Sequence, residues 1–173
     1  LDPSPGSNST HRPPGLNPTE SLRCLARCFD DAQRAFGDTP ETTARVLRAY
    51  RESAFNVGER GIAGIVAALG SRPVVLAPET CHYCFEKAMD VLGLGRCSLI
   101  PVRVDSHFRM MPEDLNAQLD RAEARGDHVL AVVAVVGTTE EGAVDPVDKV
   151  LDLRARREAA GRPSFWIHAD GAY

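Results

Sequence analysis

The sequence lacks any apolar run of the roughly 20 residues that a helix needs to cross a bilayer. It also lacks an excess of positive charge, and its net charge of −4 gives no electrostatic reason to expect a nucleic acid or an anionic membrane as a partner. Residues 1–18 are rich in Pro, Ser and Asn and have no apolar centre, so they do not form a signal peptide. These absences predict a cytoplasmic protein with neither a membrane nor a nucleic acid as partner.

Cysteine is sparse and odd in number, with five residues that include the pairs Cys24/Cys28 and Cys81/Cys84. Together the two pairs could supply four ligands to a zinc ion. Both pairs lie in helix-like segments without the glycines of a zinc knuckle, which favours free thiols in a reducing cytoplasm. We therefore predict no metal site.

The composition is that of a soluble globular protein, with 43% hydrophobic and 25% charged residues in a chain of 173. Residues 1–18 are predicted to be a disordered or loosely packed lead, and residues 19–173 to be part of one domain. Within it, residues 72–173 carry the strongest pattern. The chain begins with Leu rather than Met, and we expect it to be a fragment.

The first half of the chain shows helical periodicity over residues 19–36 and again over residues 41–53. Between them, Thr39 can cap the second helix, with Pro40 at its first position. Residues 56–70 contain four glycines beside a short apolar stretch, and the pattern leaves open whether they form a loop or a short helix.

From residue 72 onward, apolar strands alternate with amphipathic helices. The strands are predicted at residues 73–77, 98–104, 129–136 and 165–168, and the helices at residues 83–92, 112–125 and 146–160, the last capped by Asp145. This alternation predicts an α/β fold with a mostly parallel sheet and helices packed on its faces.

Polar residues follow three of these strands, at the edge where parallel sheets bind ligands. His82 is either an exposed or capping histidine or a ring that stacks on a planar ligand. Asp170 is either a turn former or a buried carboxylate that needs a cation, such as the protonated ring nitrogen of a cofactor. Thr138 is by default a turn hydroxyl that bonds its own backbone.

Three segments in this half resemble, in order and spacing, motifs of the pyridoxal-phosphate (PLP)-dependent amino-acid decarboxylases. They are Pro-Glu-Thr-Cys-His-Tyr (residues 78–83), Gly-Thr-Thr-Glu-Glu-Gly-Ala-Val-Asp-Pro (residues 137–146) and His-Ala-Asp-Gly-Ala-Tyr (residues 168–173). The group includes glutamate, aromatic amino-acid and tyrosine decarboxylases, and the Glu-Glu-Gly-Ala form is most similar to the tyrosine decarboxylase-like branch. The resemblance implies the large domain of a fold type I PLP-dependent transferase.

The same resemblance implies roles for individual residues. His82 would stack on one face of the pyridine ring, and Ala172 would pack on the other. Asp170 would bind the pyridinium N–H, which keeps the ring protonated as an electron sink. Thr138 would lie near this carboxylate or near the substrate.

The segment Gly-Asp-Thr-Pro (residues 37–40) can be laid on the loop with which the family holds the cofactor phosphate. A helix N-terminus there is suited to an anion, and Asp38 and Thr39 become candidate cofactor-binding residues. The segment departs from the family pattern because Asp38 adds a negative charge and Pro40 has no N–H to donate.

The function that the resemblance implies is decarboxylation of an L-amino acid to an amine and CO2, with tyrosine or another aromatic amino acid favoured and glutamate next. Family members are usually homodimers, and they bind PLP through a Schiff-base lysine beyond the Asp motif. Lys87 and Lys149, the only lysines here, match no such motif, so we expect this chain alone to be inactive. The alternatives are another PLP-dependent lyase or transaminase, and a non-enzymatic binding or dimerisation piece.

Overall fold

The computed structural model describes residues 18–172, with side chains from residue 23 onward. The predicted lead lies outside the described residues, except for Pro18 at the start of the first helix. Six helices and four strands follow: α1 (Pro18–Phe36), α2 (Pro40–Glu52), α3 (Val57–Leu69), β1 (Pro73–Pro78), α4 (Cys84–Val91), β2 (Leu99–Val102), α5 (Pro112–Ala124), β3 (His128–Val135), α6 (Val147–Ala159) and β4 (Trp166–Asp170). A single 3₁₀ turn, Arg96–Ser98, leads into β2.

All four strands are parallel and lie in the order β2-β1-β3-β4. Their carboxyl ends therefore meet at one edge of the sheet. The pairing of β1 with β3 shifts register, since Val74 lies opposite Val129 whereas Val75 lies opposite Ala131. The extra residue, Leu130, makes a bulge in β3.

Helices cover both faces of the sheet, which confirms the predicted α/β class. Helices α5 and α6 cover one face, over a buried cluster formed by Val74, Leu76, Ile100, Val102, Met110, Leu115, Leu119, Ala122, Val132, Val150, Leu153 and Phe165. Helix α4 covers the other, over a smaller cluster formed by Val75, Ala77, Met89, Val133 and Val135. Neighbouring residues of β1 alternate between the clusters because successive strand side chains point to opposite faces.

The predicted helices at residues 19–36 and 41–53 are confirmed as α1 and α2. Thr39 caps α2, and its Oγ1 accepts a hydrogen bond from the Thr42 N–H at 3.2 Å. The undecided segment is helical, with Asn56 as the cap of α3. The helix breaks at Gly61, where φ is +63° and ψ is 175°, a conformation that favours glycine.

None of the helices in residues 18–172 is long and apolar enough to cross a membrane. All five cysteines are free thiols. Cys81 is half-buried, and the other four are exposed. Over the same residues, no group of three or more His, Cys, Asp or Glu side chains lies close enough to hold a metal ion.

A buried carboxylate ties β1 to β3 at the amino edge of the sheet. Asp127, only 7% exposed, accepts hydrogen bonds from Arg72 Nε at 3.2 Å and Nη2 at 2.9 Å, and from Arg125 Nε at 2.8 Å. The Arg72 backbone carbonyl also accepts from the His128 N–H at 2.8 Å. The hydrogen bonds from Arg72, followed by those from Arg125, hold the pKa of the Asp127 carboxyl below its usual range.

Replacing this carboxylate tests its contribution and its pH dependence. Asp127→Asn is expected to lower the free energy of unfolding at pH 7 by about 1–2 kcal/mol. This loss is smaller than the loss expected for a fully buried ion pair, because both arginines are partly exposed to water. Because the folded pKa lies below the unfolded value near 3.9, the contribution is complete above that value and is lost as the pH falls through the folded pKa. Urea unfolding at pH 7 and pH 3 measures the difference.

The matched control is Asp152→Asn, which alters an exposed carboxylate on α6 and is expected to change little at either pH. If the difference in unfolding free energy between the wild type and Asp127→Asn were the same at pH 3 as at pH 7, the assigned ion pair would be contradicted.

Candidate active site

A cleft opens at the carboxyl edge of the sheet, lined by residues from three strand ends. The lining comprises Thr80 and His82 after β1, Val135 at the end of β3, Gly137, Thr138 and Thr139 after it, and Asp170 and Ala172 at and beyond the end of β4. The structure thus brings together four of the residues predicted from sequence. The cleft has a volume of about 160 Å³, below the roughly 300–1,000 Å³ of typical small-molecule sites, so these residues enclose only part of such a ligand.

Asp170 ends β4 opposite Val135, and its backbone carbonyl accepts a hydrogen bond from the Val136 N–H at 2.7 Å. The side chain is half-buried rather than buried as predicted, because β4 is the last strand of the described sheet. Within residues 18–172, its carboxylate accepts no hydrogen bond and forms no ion pair. A partly desolvated carboxylate without a partner is suited to a charged N–H donor, which fits the pyridinium nitrogen of PLP.

His82 is exposed just before α4, and two neighbouring residues contact its ring. Its Nδ1 accepts a hydrogen bond from the Cys84 N–H at 3.3 Å, which assigns the proton of the neutral ring to Nε2. The ring also contacts the Tyr83 ring, with centroids 4.1 Å apart and planes tilted by 43°. This positions a flat side chain beside the cleft, as stacking on a planar ligand requires.

Thr138 is buried and closes the loop that follows β3. Its Oγ1 accepts a hydrogen bond from the Ala143 N–H at 2.9 Å, and its carbonyl accepts one from the Gly142 N–H at 3.0 Å. Gly137, with φ at +112°, allows the chain to turn out of the sheet. The hydroxyl therefore bonds its own loop, whereas the neighbouring Thr139 is exposed where it lines the cleft.

The prediction that Asp145 caps α6 is wrong. The helix begins at Val147, Pro146 occupies the capping position, and no side chain bonds the helix N-terminus. Instead, the buried Asp145 carboxylate accepts hydrogen bonds from the Met110 N–H at 2.6 Å and the Val135 N–H at 2.7 Å. Burial raises the pKa of this carboxyl, and the two N–H groups oppose the rise.

The cleft also contains residues that the sequence analysis left unassigned. Thr80 and Thr139 both line it. Both come just after a strand, where parallel sheets bind ligands, and this position could have identified them from the sequence. Near them, burial, followed by the proximity of Cys84 and Glu86, raises the pKa of the Cys81 thiol to about 11. Cys81 is therefore a neutral thiol packed against the core under α4, and not a nucleophile.

Asp38 and Thr39 do not line this cleft. Asp38 Oδ1 accepts a hydrogen bond from Gln33 Nε2 at 2.8 Å, and the Thr39 hydroxyl caps α2. Their role in phosphate binding stays a prediction. Lys87 and Lys149 are also absent from the lining: Lys87 Nζ lies 4.3 Å from the centre of the Tyr83 ring, and Lys149 is exposed on α6.

Removing the buried carboxylate at position 145 tests its role in holding the end of β3. Asp145→Ala leaves two buried N–H groups without an acceptor and is expected to lower the free energy of unfolding by about 2–4 kcal/mol. Asp145→Asn keeps one acceptor oxygen, so it should lower the free energy of unfolding by less than Asp145→Ala does. Urea unfolding at pH 7 measures both, with Asp148→Asn as the control for an exposed carboxylate on α6. An Asp145→Ala variant as stable as the wild type would contradict this account.

Comparisons with known proteins agree with this geometry. The chain is 41% identical over 98 residues to the L-tyrosine decarboxylase of Levilactobacillus brevis, a match that covers 57% of the chain and 16% of that protein. It is 40% identical over 93 residues to the cysteine sulfinic acid decarboxylase of Rattus norvegicus, which covers 54% of the chain and 18% of that protein.

Solved structures show the same fold. The crystal structure of mouse CSAD in its apo form matches with a TM-score of 0.59 and 29% identity, over 89% of this chain and 31% of that one. The crystal structure of Oryza sativa TDC with PLP and tryptamine matches with a TM-score of 0.54 and 26% identity, over 88% of this chain and 25% of that one. The matched region thus spans less than a third of each of these relatives.

The model of one protein family covers most of the chain. That family is described as the pyridoxal-dependent decarboxylase conserved domain, and its model matches residues 39–173. The match includes all four strands and every residue that lines the cleft. The chain belongs to the pyridoxal-dependent decarboxylase family.

Proposed function

We propose that the protein containing this chain is a PLP-dependent L-amino-acid decarboxylase that releases CO2 and an amine. The observation that carries the proposal is the Asp170 carboxylate, which has no partner in residues 18–172 and shares one cleft with His82. The order of the three strand-end segments and the family match support it. The homodimer and the cytoplasmic location expected from the sequence are part of the proposal.

The residues of the cleft fit the cofactor. When bound, PLP supplies a protonated pyridine ring that accepts the electron pair left on Cα as CO2 departs. Asp170 would accept the ring N–H and hold the proton on that nitrogen, because a nearby carboxylate favours the charged form of the ring. His82 would cover one ring face, already oriented by the Cys84 N–H, and the small Ala172 would leave space at the other.

Backbone groups take part in each hydrogen bond that holds these residues: strand pairing for Asp170, and backbone N–H groups that donate to the side chains of Thr138 and His82. Asp170 is fixed by its pairing with β3, and the Gly-Thr-Thr loop by Thr138. Such preorganisation lowers the ordering cost of binding, since few torsions have to be restricted when the ligand arrives.

For the substrate, we propose tyrosine or another aromatic amino acid. The 41% identity to a tyrosine decarboxylase supports this. Glu140 and Glu141, exposed in the loop beside the cleft, support it as well, since their negative charges disfavour an acidic side chain nearby. The second candidate is an acidic amino acid such as glutamate or cysteine sulfinate, which the 40% identity to the rat enzyme favours.

The test uses the intact protein loaded with PLP and supplied separately with L-tyrosine, L-tryptophan, L-glutamate and L-cysteine sulfinate. We expect CO2 and the corresponding amine in equal amounts, with the highest kcat/KM for an aromatic substrate. If the product were a keto acid, or an aldehyde formed without CO2, the reaction would be transamination or another lyase reaction and not decarboxylation. Failure to bind PLP, or to turn over any amino acid, would refute the proposed function.

The proposed role of Asp170 gives a sharper prediction. Asp170→Asn keeps the size of the side chain but removes its charge, so the ring nitrogen loses the partner that keeps it protonated. We expect kcat to fall by about 100–1,000-fold, the size of effect seen when a preorganised charge partner is removed from an active site. Steady-state kinetics and the absorbance spectrum of the bound cofactor measure the change. Asp148→Asn on α6 is the control, and equal kcat values in the two variants would contradict the assignment.

A further inference from the structure

Thr80 lies in a rigid turn at the end of β1. The Glu79 N–H donates to the Val102 carbonyl at 3.0 Å, and the Cys81 N–H donates to the Pro78 carbonyl at 2.9 Å, so the backbone is fixed on both sides of Thr80. Its side chain lines the same cleft as His82 and Asp170. These hydrogen bonds hold the Thr80 backbone at the edge of the cleft.

This hydroxyl is buried and has no hydrogen-bond partner among the residues that the structure describes. A hydroxyl in a turn normally bonds its own backbone, as Thr138 does with the Ala143 N–H. Buried polar groups without a partner are rare in native proteins, and each calls for an explanation. Thr80 lines a cleft whose other polar residues are suited to a ligand, so a ligand can supply the missing partner.

We propose that Thr80 is a cofactor-positioning residue whose hydroxyl donates a hydrogen bond to an oxygen of the PLP held between His82 and Asp170. The proposal rests on the proposed function and adds a residue to that site. The cofactor is favoured over the substrate because Thr80 lines the same cleft as His82, Asp170 and Ala172, the three residues assigned to the ring.

A buried hydroxyl that is paired only in the loaded protein has two distinguishable consequences. Thr80→Val replaces the hydroxyl by a methyl group of similar size. The cofactor-free protein loses no hydrogen bond, so its Tm should be unchanged or higher. The loaded protein loses one, so the Kd for PLP should rise about 3–10-fold. Thr80→Ser keeps the hydroxyl and should bind PLP nearly as the wild type does.

The chain offers a matched control at the other end of the same strand. Ser71, just before β1, has the other buried hydroxyl without a partner in the described part of the chain. It lines a different cavity, of about 540 Å³, with Phe55, Leu69 and Phe165. Ser71→Ala should also leave the Tm of the cofactor-free protein unchanged or higher, but it should leave the Kd for PLP at the wild-type value.

The experiment strips PLP from the intact protein, titrates it back while following absorbance, and records thermal unfolding of the cofactor-free form. A Thr80→Val variant that binds PLP as tightly as the wild type overturns the proposal. A lower Tm of this variant without PLP also overturns it, because that result would reveal a protein partner for the hydroxyl. A raised KM for the substrate with an unchanged Kd for PLP overturns it as well, because that result would assign the hydroxyl to the substrate. A wild-type protein that binds no PLP instead refutes the proposed function itself.

Discussion

The buried carboxylate of Asp145 is the interaction on which the rest of the site depends. It accepts two backbone N–H groups, one from Val135 at the end of β3 and one from Met110, so it joins the sheet to the chain that enters α5. Asp170 lies opposite Val135. The loop that contains Thr138 begins just after Val135. A displacement of Val135 would therefore move two of the three groups that line the cleft. The carboxylate remains buried because both its oxygens accept strong hydrogen bonds.

The two carboxylates at this edge have opposite roles because their partners differ. Asp145 is held by neutral donors of the backbone, and it is structural. Asp170 has no donor in residues 18–172, and a cationic ligand would satisfy it. Elsewhere in the same part of the chain, buried charges are paired within the protein: Asp127 with Arg72 and Arg125, and Arg157 with Asp120 and Glu123. Among these charged groups, a protein partner marks the framework, and its absence at Asp170 within the described residues marks the site.

Local patterns predicted the helices, the strands and the residues that gather in the cleft, because periodicity and strand ends can be read from neighbouring residues. His82, Thr138 and Asp170 were found in this way, whereas Ala172 was implied only by the family resemblance. Asp145 was misassigned because an Asp before a Pro at the start of a helix has the sequence of a cap, and its partner Met110 lies 35 residues away. Burial of the Thr80 hydroxyl likewise depends on tertiary packing, which no local pattern contains.

The bulge at Leu130 connects this packing to the geometry of the cleft. Leu130 and Ala131 both pack on the α4 side of the sheet, so the alternation of β3 is reset before its last four residues. Val133 and Val135 then face α4, and Val132 faces α5 and α6. If the same residues formed a regular strand without the bulge, Val135 would point to the other face. Asp170, paired with it, would then shift relative to Thr80 and His82, which follow β1. The bulge therefore sets which side chains meet at the carboxyl edge of the sheet.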